Sequence, residues 1–183
     1  MYGAGLNPPV VRKIMVAVDG SPASIKGIEH AVQLAKEKNA ELIAIYVDTT
    51  ADDMDSRGYF SYALIKDIKD EKELKEIKSI ESSEIAEILG RHYEQAVKPV
   101  TMIHGEAGLE VAEYLSKKYN IKLETIIERG HEAQVIVGIA KKLGIDMIVI
   151  GSHGLKGLDK FLLGSVADKV SKLAHCPVLI VKP

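Results

Sequence analysis

Five short apolar runs along the chain have the character of buried β-strands. They are too apolar on both faces for half-exposed strands, except that the third alternates in part, as an edge strand does. The runs cover residues 13–21, 40–48, 122–128, 145–151 and 176–182.

Segments with helical spacing separate these runs. After the first strand, Ser21 is expected to cap a helix that has Pro22 in its first turn, where a missing N–H costs nothing. The inward positions of this helix recur at helical intervals. They are Ile25, Ile28, Val32 and Ala35.

Further helices are expected over residues 105–118, 131–144 and 165–174. The second of these ends at Gly144, which is a typical C-cap residue. The third has three apolar residues on its expected inward face: Val166, Val170 and Leu173.

The alternation of strand and helix predicts an α/β fold. We expect an open, doubly wound, Rossmann-like sheet of five parallel strands in the order 3-2-1-4-5. The length suits one domain over residues 1–183, with a helical insertion over residues 51–105 after the second strand. Residues 66–97 in this insertion have helical spacing, and the stretch KDIKDEKELKEIKSIESSE within them alternates in charge. They form either a solvated helix face with i,i+4 ion pairs or a lid or partner-binding arm.

Composition narrows the classes of function. The 183 residues carry a net charge of −2, which gives no electrostatic basis for binding nucleic acid or an anionic membrane. No apolar run approaches the roughly 18 residues of a membrane helix, and the N-terminal residues lack a signal-peptide pattern. The single cysteine, Cys176, excludes an internal disulfide. We therefore expect a cytoplasmic protein.

The segment GSHGLKGLDKFLLGSV, which begins at Gly151, follows the fourth strand. Gly154 leaves room for a ligand beside the backbone. Gly164 and Ser165 open a helix whose first N–H groups lack partners and carry the positive end of the helix dipole. A phosphate group suits such a site.

Each of these features also has a purely structural explanation. A turn that needs a positive φ is enough to explain Gly151. Ser165 and Asp168 match a capping box, which would satisfy the helix end without a ligand. Asp19 lies next to Gly151 in the expected strand order. It either contacts a ribose hydroxyl or a divalent metal at the switch point, or caps the helix that follows it.

The glycine spacing resembles that of a known family. Gly151-Ser-His-Gly154, nine further residues and then Gly164-Ser165 are similar to the Gly-x2-Gly-x9-Gly-Ser/Thr signature of ATP-binding universal stress proteins. The opening KIMVAVDGSPAS and the ending GSVADKVSKLAHCPVLIVK resemble the same family. The resemblance covers the first 48 residues and roughly the last 75, but not the insertion.

Carried over position by position, the resemblance implies an adenine-nucleotide site. Ala17, Val18 and Asp19 would line the ribose side, and the backbone of Val47 would contact the adenine edge. The other positions would surround the ribose and the phosphates: Gly151, Ser152, His153, Gly154, Gly164, Ser165 and Val166. The expected ligand is ATP, or AMP or ADP, with Mg²⁺ or Mn²⁺ as a possible companion.

The residues favour a binding protein over a catalyst. A Walker Gly-x4-Gly-Lys-Ser/Thr sequence is absent from the chain, and Lys156 and Lys160 of the loop either substitute for its lysine in part or are solvated, as loop lysines usually are. His153 is the imidazole nearest the expected phosphates, but the sequence offers it no orienting partner. We assign no catalytic residue and no protein-held metal. The prediction is a nucleotide-dependent regulatory protein of the stress response; a slow ATP hydrolase or phosphotransferase is the alternative.

The last strand, from Pro177 to Lys182, is apolar on both faces and lies at the sheet edge in the expected order. Such an edge associates unless it is paired. We expect a two-fold homodimer joined through this strand, as the family resemblance also implies. Coverage of the edge by the N-terminal residues or the insertion is the alternative.

Overall fold

A computed structural model of the chain describes residues 10–49, 100–154 and 163–183. Strands and helices alternate along these ranges. In chain order they are β1 (Lys13–Val18), α1 (Pro22–Lys38), β2 (Glu41–Asp48), α2 (Val100–Lys118), β3 (Leu123–Arg129), α3 (Glu132–Leu143), β4 (Met147–Gly151), α4 (Ser165–Leu173) and β5 (Val178–Val181).

The strands form a parallel sheet in the order β3-β2-β1-β4-β5, which confirms the predicted topology. Helices α1 and α2 pack on one face and α3 and α4 on the other. Strands covered on both faces are apolar throughout, and β1 and β2 are buried along nearly their whole length. β3 is mostly exposed, as expected for an edge strand.

Helix α1 begins as its sequence predicts. The Ser21 hydroxyl accepts a hydrogen bond from the Ser24 N–H at 3.2 Å, and Pro22 is the first helical residue. The helix ends at Asn39, which adopts the left-handed conformation with φ 53°. The four predicted inward residues are all buried: Ile25, Ile28, Val32 and Ala35.

Helix α2 begins at Val100, five residues before the predicted start at Gly105. Glycine is a weak helix former, so the sequence pattern placed the boundary there. In the structure Gly105 lies within the helix, where a Cβ would overlap the ring of Tyr46 on β2, so the position requires glycine for packing. The predicted insertion over residues 51–105 therefore overlaps α2 at its C-terminal boundary.

The inward face of α4 differs from the prediction at one position. Val170 is fully buried and Val166 is half-buried, but Leu173 is 58% exposed. The helix ends at this residue, and Leu173 therefore lies beyond the part of the face that the sheet covers.

Some predicted features lie outside the described residues. They are the helix over residues 66–97 and the loop lysines Lys156 and Lys160. Within the described ranges, no helix has both the length and the apolar character that a membrane crossing requires.

Candidate functional site

The sheet splits at its centre. Pairing between β1 and β4 stops at Val16 and Val149, two residues before either strand ends. Their outer neighbours stay paired, β2 with β3 through Asp48 and β4 with β5 through Gly151. The carboxyl ends of β1 and β4 therefore diverge where the strand order reverses, which is where open α/β sheets bind their ligands.

A cavity of about 340 Å³ lies at this opening. Its volume is in the range of small-molecule sites, about 300–1,000 Å³. All the residues predicted for the site line the cavity: Ala17, Val18, Asp19, Val47, Gly151, Ser152, His153, Gly154, Gly164, Ser165 and Val166.

Sequence reasoning missed a second group of lining residues. They are Ser24, Ile45, Tyr46, Thr49, Glu132, Ile136, Ile150 and Ala167. Most of them are apolar, and their pattern indicated only core. Glu132 follows a glycine-histidine pair at a helix start, and no signal in the sequence relates this position to the glycine loop, which we define as Gly151–Gly154.

The N-terminus of α4 opens into the cavity. Gly164 is its N-cap residue, and no side chain in the described residues caps it. The next three residues carry the first helical N–H groups, which lack intrahelical acceptors, and all three line the cavity: Ser165, Val166 and Ala167. The dipole of the helix places partial positive charge here.

The predicted capping box at Ser165 and Asp168 is wrong. Ser165 is the first residue of the helix rather than its cap. The Asp168 carboxylate instead pairs with Lys172 at 2.8 Å, one turn further along α4. The N–H groups at the helix start are thus left for another acceptor.

Gly151 has a packing role and not the positive φ that a turn requires. The described glycines with positive φ are Gly20, Gly130 and Gly144. A Cβ on Gly151 would lie 2.9 Å from the backbone nitrogen of Ser24. The glycine therefore allows the first turn of α1 to pack against the end of β4.

Asp19 organises the loop between β1 and α1. One carboxylate oxygen, Oδ1, accepts the Ser21 N–H at 3.0 Å, and the Asp19 N–H donates to the Ser24 hydroxyl at 3.2 Å. Burial raises the pKa of the Asp19 carboxyl, against the opposing effect of its hydrogen bonds to Ser21 and Ser24. Ser21, and not Asp19, caps α1.

Ser152 and His153 connect three parts of the site. The Ser152 N–H donates to the Val181 carbonyl at 2.7 Å, and the Ser152 carbonyl accepts the Gly164 N–H at 2.8 Å. The Ser21 hydroxyl donates to the His153 carbonyl at 3.3 Å. The Ser152 hydroxyl lies 2.9 Å from Nδ1 of His153, while the buried Nε2 has no hydrogen-bond partner among the described residues.

The charged side chains that line the described cavity wall are carboxylates. Asp19 and Glu132 contribute them, and the described lining residues include neither lysine nor arginine. Burial raises the pKa of Tyr46, and Asp48 and Glu106 add to the effect through their negative charge. No group of three acidic, histidine or cysteine side chains in the described ranges is placed to hold a metal ion.

These features define a class: doubly wound α/β proteins with a ligand cavity at the diverging ends of the central strands, closed by a glycine loop and a helix N-terminus. The universal stress protein family model matches residues 11–182. The chain belongs to the universal stress protein family.

Two curated relatives cover most of the chain. The universal stress protein MJ0531 of Methanocaldococcus jannaschii is 32% identical over 171 residues, which cover 93% of this chain and 82% of the relative. The universal stress protein YxiE of Bacillus subtilis is 33% identical over 170 residues, which cover 93% and 98% of the two chains.

Solved structures share the fold. Protein MJ0577 of Methanocaldococcus jannaschii superposes with a TM-score of 0.60 at 25% identity, over 96% of this chain and 98% of its own. A universal stress protein in complex with cAMP has a TM-score of 0.56 at 21% identity, over 94% and 98% of the two chains. A universal stress protein from Archaeoglobus fulgidus in complex with dAMP has a TM-score of 0.55 at 18% identity, over 95% and 100%.

Proposed function

We propose that the cavity binds an adenine nucleotide, ATP, ADP or AMP, and that occupancy regulates the protein in the stress response. One observation carries the proposal: the N-terminus of α4 opens into the cavity without a side-chain cap, and its first three N–H groups have no acceptor among the described residues. Helix N-termini of this kind bind phosphate through hydrogen bonds and the helix dipole.

The other end of the cavity suits a base. Its wall includes the apolar residues Ile45, Val47 and Ile136. β2 extends beyond the end of β1 by Val47 and Asp48, and its pairing with β1 ends at Tyr46, so the Val47 carbonyl lies past the last paired residue and has no β1 N–H opposite it. A base edge can take up hydrogen bonds of this kind, while Asp19 between the two ends can accept a ribose hydroxyl.

The proposal that the base is adenine is supported by proteins of the same fold. Two of the fold neighbours are complexes, one with cAMP and one with dAMP. Both ligands combine adenine, a pentose and a phosphate group, and the cavity offers an apolar wall, a carboxylate and a helix N-terminus for these three parts.

Mg²⁺ or Mn²⁺ would bind together with the nucleotide and not to the empty cavity. Mg²⁺ is commonly bound by one or two carboxylates together with substrate phosphates. Asp19 fits this role, because Oδ1 is engaged with the Ser21 N–H while Oδ2 lies beside Gly154 on the cavity wall. A bound metal would also neutralise phosphate charge beside this carboxylate.

Titration calorimetry with ATP, ADP and AMP, each with Mg²⁺ or Mn²⁺, tests the proposal. We expect a dissociation constant of about 1 μM for the preferred nucleotide, or roughly −8 kcal/mol. Gly138→Ala on α3 is a matched control, because a Cβ there would meet nothing within 4 Å. Absence of heat, and of any thermal shift, with all three nucleotides would contradict the proposal.

Hydrolysis of the nucleotide is a second candidate, and one observation favours it. The Ser152 hydroxyl is placed to orient the His153 ring, which the sequence alone did not predict. Phosphate release from ATP, compared between the wild type and His153→Ala, separates the two functions. Turnover of about 1 s⁻¹ or more that the variant abolishes would favour the enzyme; equal, negligible release from both favours the binding protein.

Regulation would be exerted through β5. The Ser152 N–H, in the glycine loop, is hydrogen-bonded to Val181 at the end of that strand. A ligand that contacts Ser152 and its neighbours therefore stabilises this hydrogen bond and, through it, β5. We expect ATP to slow hydrogen exchange of the β5 amides, and unchanged exchange under saturating ATP would contradict this coupling.

The β5 edge is also the proposed homodimer interface. β5 pairs with β4, and in the described residues no strand pairs with its other edge. Leu179 on β5 is 37% exposed and Leu173 on the adjoining α4 is 58% exposed. Light scattering should give twice the chain mass of 20.0 kDa. Leu179→Lys should give a monomer, while Ile127→Lys on the opposite edge strand should not; a monomeric wild type would overturn the interface.

A further inference from the structure

Glu132 contributes a carboxylate to the cavity wall, and the proposed nucleotide contacts do not involve it. It is the first residue of α3 and lines the cavity together with Ile136, one turn further along. Residues four apart on a helix share a face. Ile136 is 3% exposed, so this face points at the sheet, and Glu132 lies half-buried at the top of it.

The loop before α3 places Glu132 at the base end of the cavity. The Gly130 N–H donates to the Asp48 carbonyl at 3.2 Å, which fixes the loop to the end of β2. Val47 and Thr49, on either side of Asp48, also line the cavity. The N-terminus of α4 is fixed instead to the end of β4, on the other side of β1. Glu132 is thus remote from the proposed phosphate position.

No cation balances the Glu132 charge in the described part of the site. None of the hydrogen bonds or ion pairs among the described side chains involves it, and the described lining contains neither lysine nor arginine. A half-buried carboxylate is stabilised by a hydrogen-bond donor, since an ionised carboxylate only accepts. A phosphate at this end would be repelled.

We infer that Glu132 determines base specificity: its carboxylate accepts a hydrogen bond from the exocyclic amino group of the base. The inference rests on the proposed nucleotide function and adds a residue that selects among nucleotides. Adenine carries an amino group at C6, whereas hypoxanthine carries an oxygen there. The carboxylate accepts a hydrogen bond from the first and faces the lone pairs of the second, so it selects amino-purines over oxo-purines.

Calorimetry with ATP and ITP, both with Mg²⁺, tests this role. We expect the wild type to bind ATP roughly tenfold more tightly than ITP, the scale of one hydrogen bond to a charged group at a partly exposed site. Glu132→Gln keeps the size of the side chain, but its amide can donate to the oxo group. Glu132→Ala neither donates nor accepts. Both variants should bring the ratio of the two dissociation constants several-fold closer to one, while the Val47 backbone still discriminates between the two bases. Glu113→Gln, exposed on α2 across the sheet, should leave the ratio unchanged.

The ratio separates recognition from stability, because loss of folded protein or a general loosening of the site affects both nucleotides equally. A ratio near tenfold that both Glu132 variants retain would overturn the assignment. Equal binding of ATP and ITP by the wild type would overturn it too, and in both cases the proposed function would stand. A wild type that binds neither nucleotide would overturn both.

Discussion

The Asp19 carboxylate lies directly against the backbone of Gly154, with Oδ2 2.7 Å from the point that a Cβ of Gly154 would occupy. The space that this glycine leaves is therefore taken by the protein's own side chain. Gly164 behaves in the same way, because a Cβ there would lie 3.0 Å from the Ser152 carbonyl oxygen. The glycine signature brings the walls of the site together before any ligand arrives.

Gly154→Ala should lower nucleotide affinity with little loss of stability. The new Cβ meets a carboxylate oxygen rather than backbone, and a small rotation of Asp19 that keeps the hydrogen bond from the Ser21 N–H to Oδ1 relieves the overlap at a cost of about 1 kcal/mol. The displaced carboxylate loses its contact with the ligand, and we expect a dissociation constant roughly tenfold higher. Calorimetry and urea unfolding measure the two effects.

A double-mutant cycle with Asp19→Ala identifies the cause of this loss. If Gly154→Ala acts by displacing Asp19, it should cost no further affinity in the Asp19→Ala background. Additive losses would mean that the Cβ instead clashes with the ligand itself.

Gly151→Ala, in contrast to Gly154→Ala, should mainly lower the stability of the protein. Its Cβ would lie 2.9 Å from the backbone nitrogen of Ser24 and 3.0 Å from the Cβ of Ala23, and these atoms move only if α1 moves. Overpacking of this kind costs about 1–3 kcal/mol. A free energy of unfolding equal to that of the wild type, measured in urea, would contradict the packing role.

Alanine substitutions at two mid-helix glycines should change the stability of the protein in opposite directions. A Cβ on Gly108 in α2 would overlap Val18 and lie 3.2 Å from the backbone nitrogen of Gly20, whereas Gly138 in α3 faces open space. Alanine is the better helix former by about 1 kcal/mol. Gly138→Ala should therefore stabilise the protein by about that amount, and Gly108→Ala should destabilise it by about 1–3 kcal/mol. The melting temperatures compare the two; equal shifts would show that α2 does not pack closely on β1.

Ser21→Ala should destabilise the protein and disturb the glycine loop together. The Ser21 hydroxyl caps α1 through the Ser24 N–H and also donates to the His153 carbonyl. Loss of an N-cap hydroxyl costs about 1 kcal/mol. We expect this loss in urea unfolding and a change in the His153 ring resonances by NMR. A wild-type His153 spectrum would mean that the second hydrogen bond does not constrain the loop.

The strand order was predictable because it depends on local patterns, whereas the eleven candidate site residues, all of which line the cavity, came from the family resemblance. Continuous apolar runs predict buried parallel strands, and the strand order then brings Asp19 to Gly151. The structural roles of two glycines were harder to predict from the sequence. Gly105 and Gly151 serve close contacts with residues remote in sequence, namely Tyr46 and Ser24, and such contacts leave no local signal.

The same limit explains the remaining errors. Ser165 and Asp168 have capping-box spacing, but the helix begins one residue earlier in register, at a Gly164 cap that is hydrogen-bonded to Ser152. Glu132 joins the site only because the β3–α3 loop is fixed to the end of β2. Tertiary contacts decide both cases.

Asp19→Asn should change how stability depends on pH. Burial raises the pKa of the Asp19 carboxyl above its ordinary value of 3.8, so the folded protein binds this proton more tightly than the unfolded chain does. The stability that the bound proton contributes is complete below pH 3.8 and is lost as the pH rises through the folded-state pKa. Asparagine is neutral throughout and keeps an oxygen to accept the Ser21 N–H. The free energy of unfolding of the variant, minus that of the wild type, should therefore increase from pH 4 upward and then level off.

Urea unfolding of the nucleotide-free protein at pH 4, 5, 6 and 7 measures this difference, with Glu113→Gln as the exposed control. A difference that stays constant, or that falls as the pH rises, would mean that the Asp19 carboxylate is better stabilised in the folded protein than its burial implies.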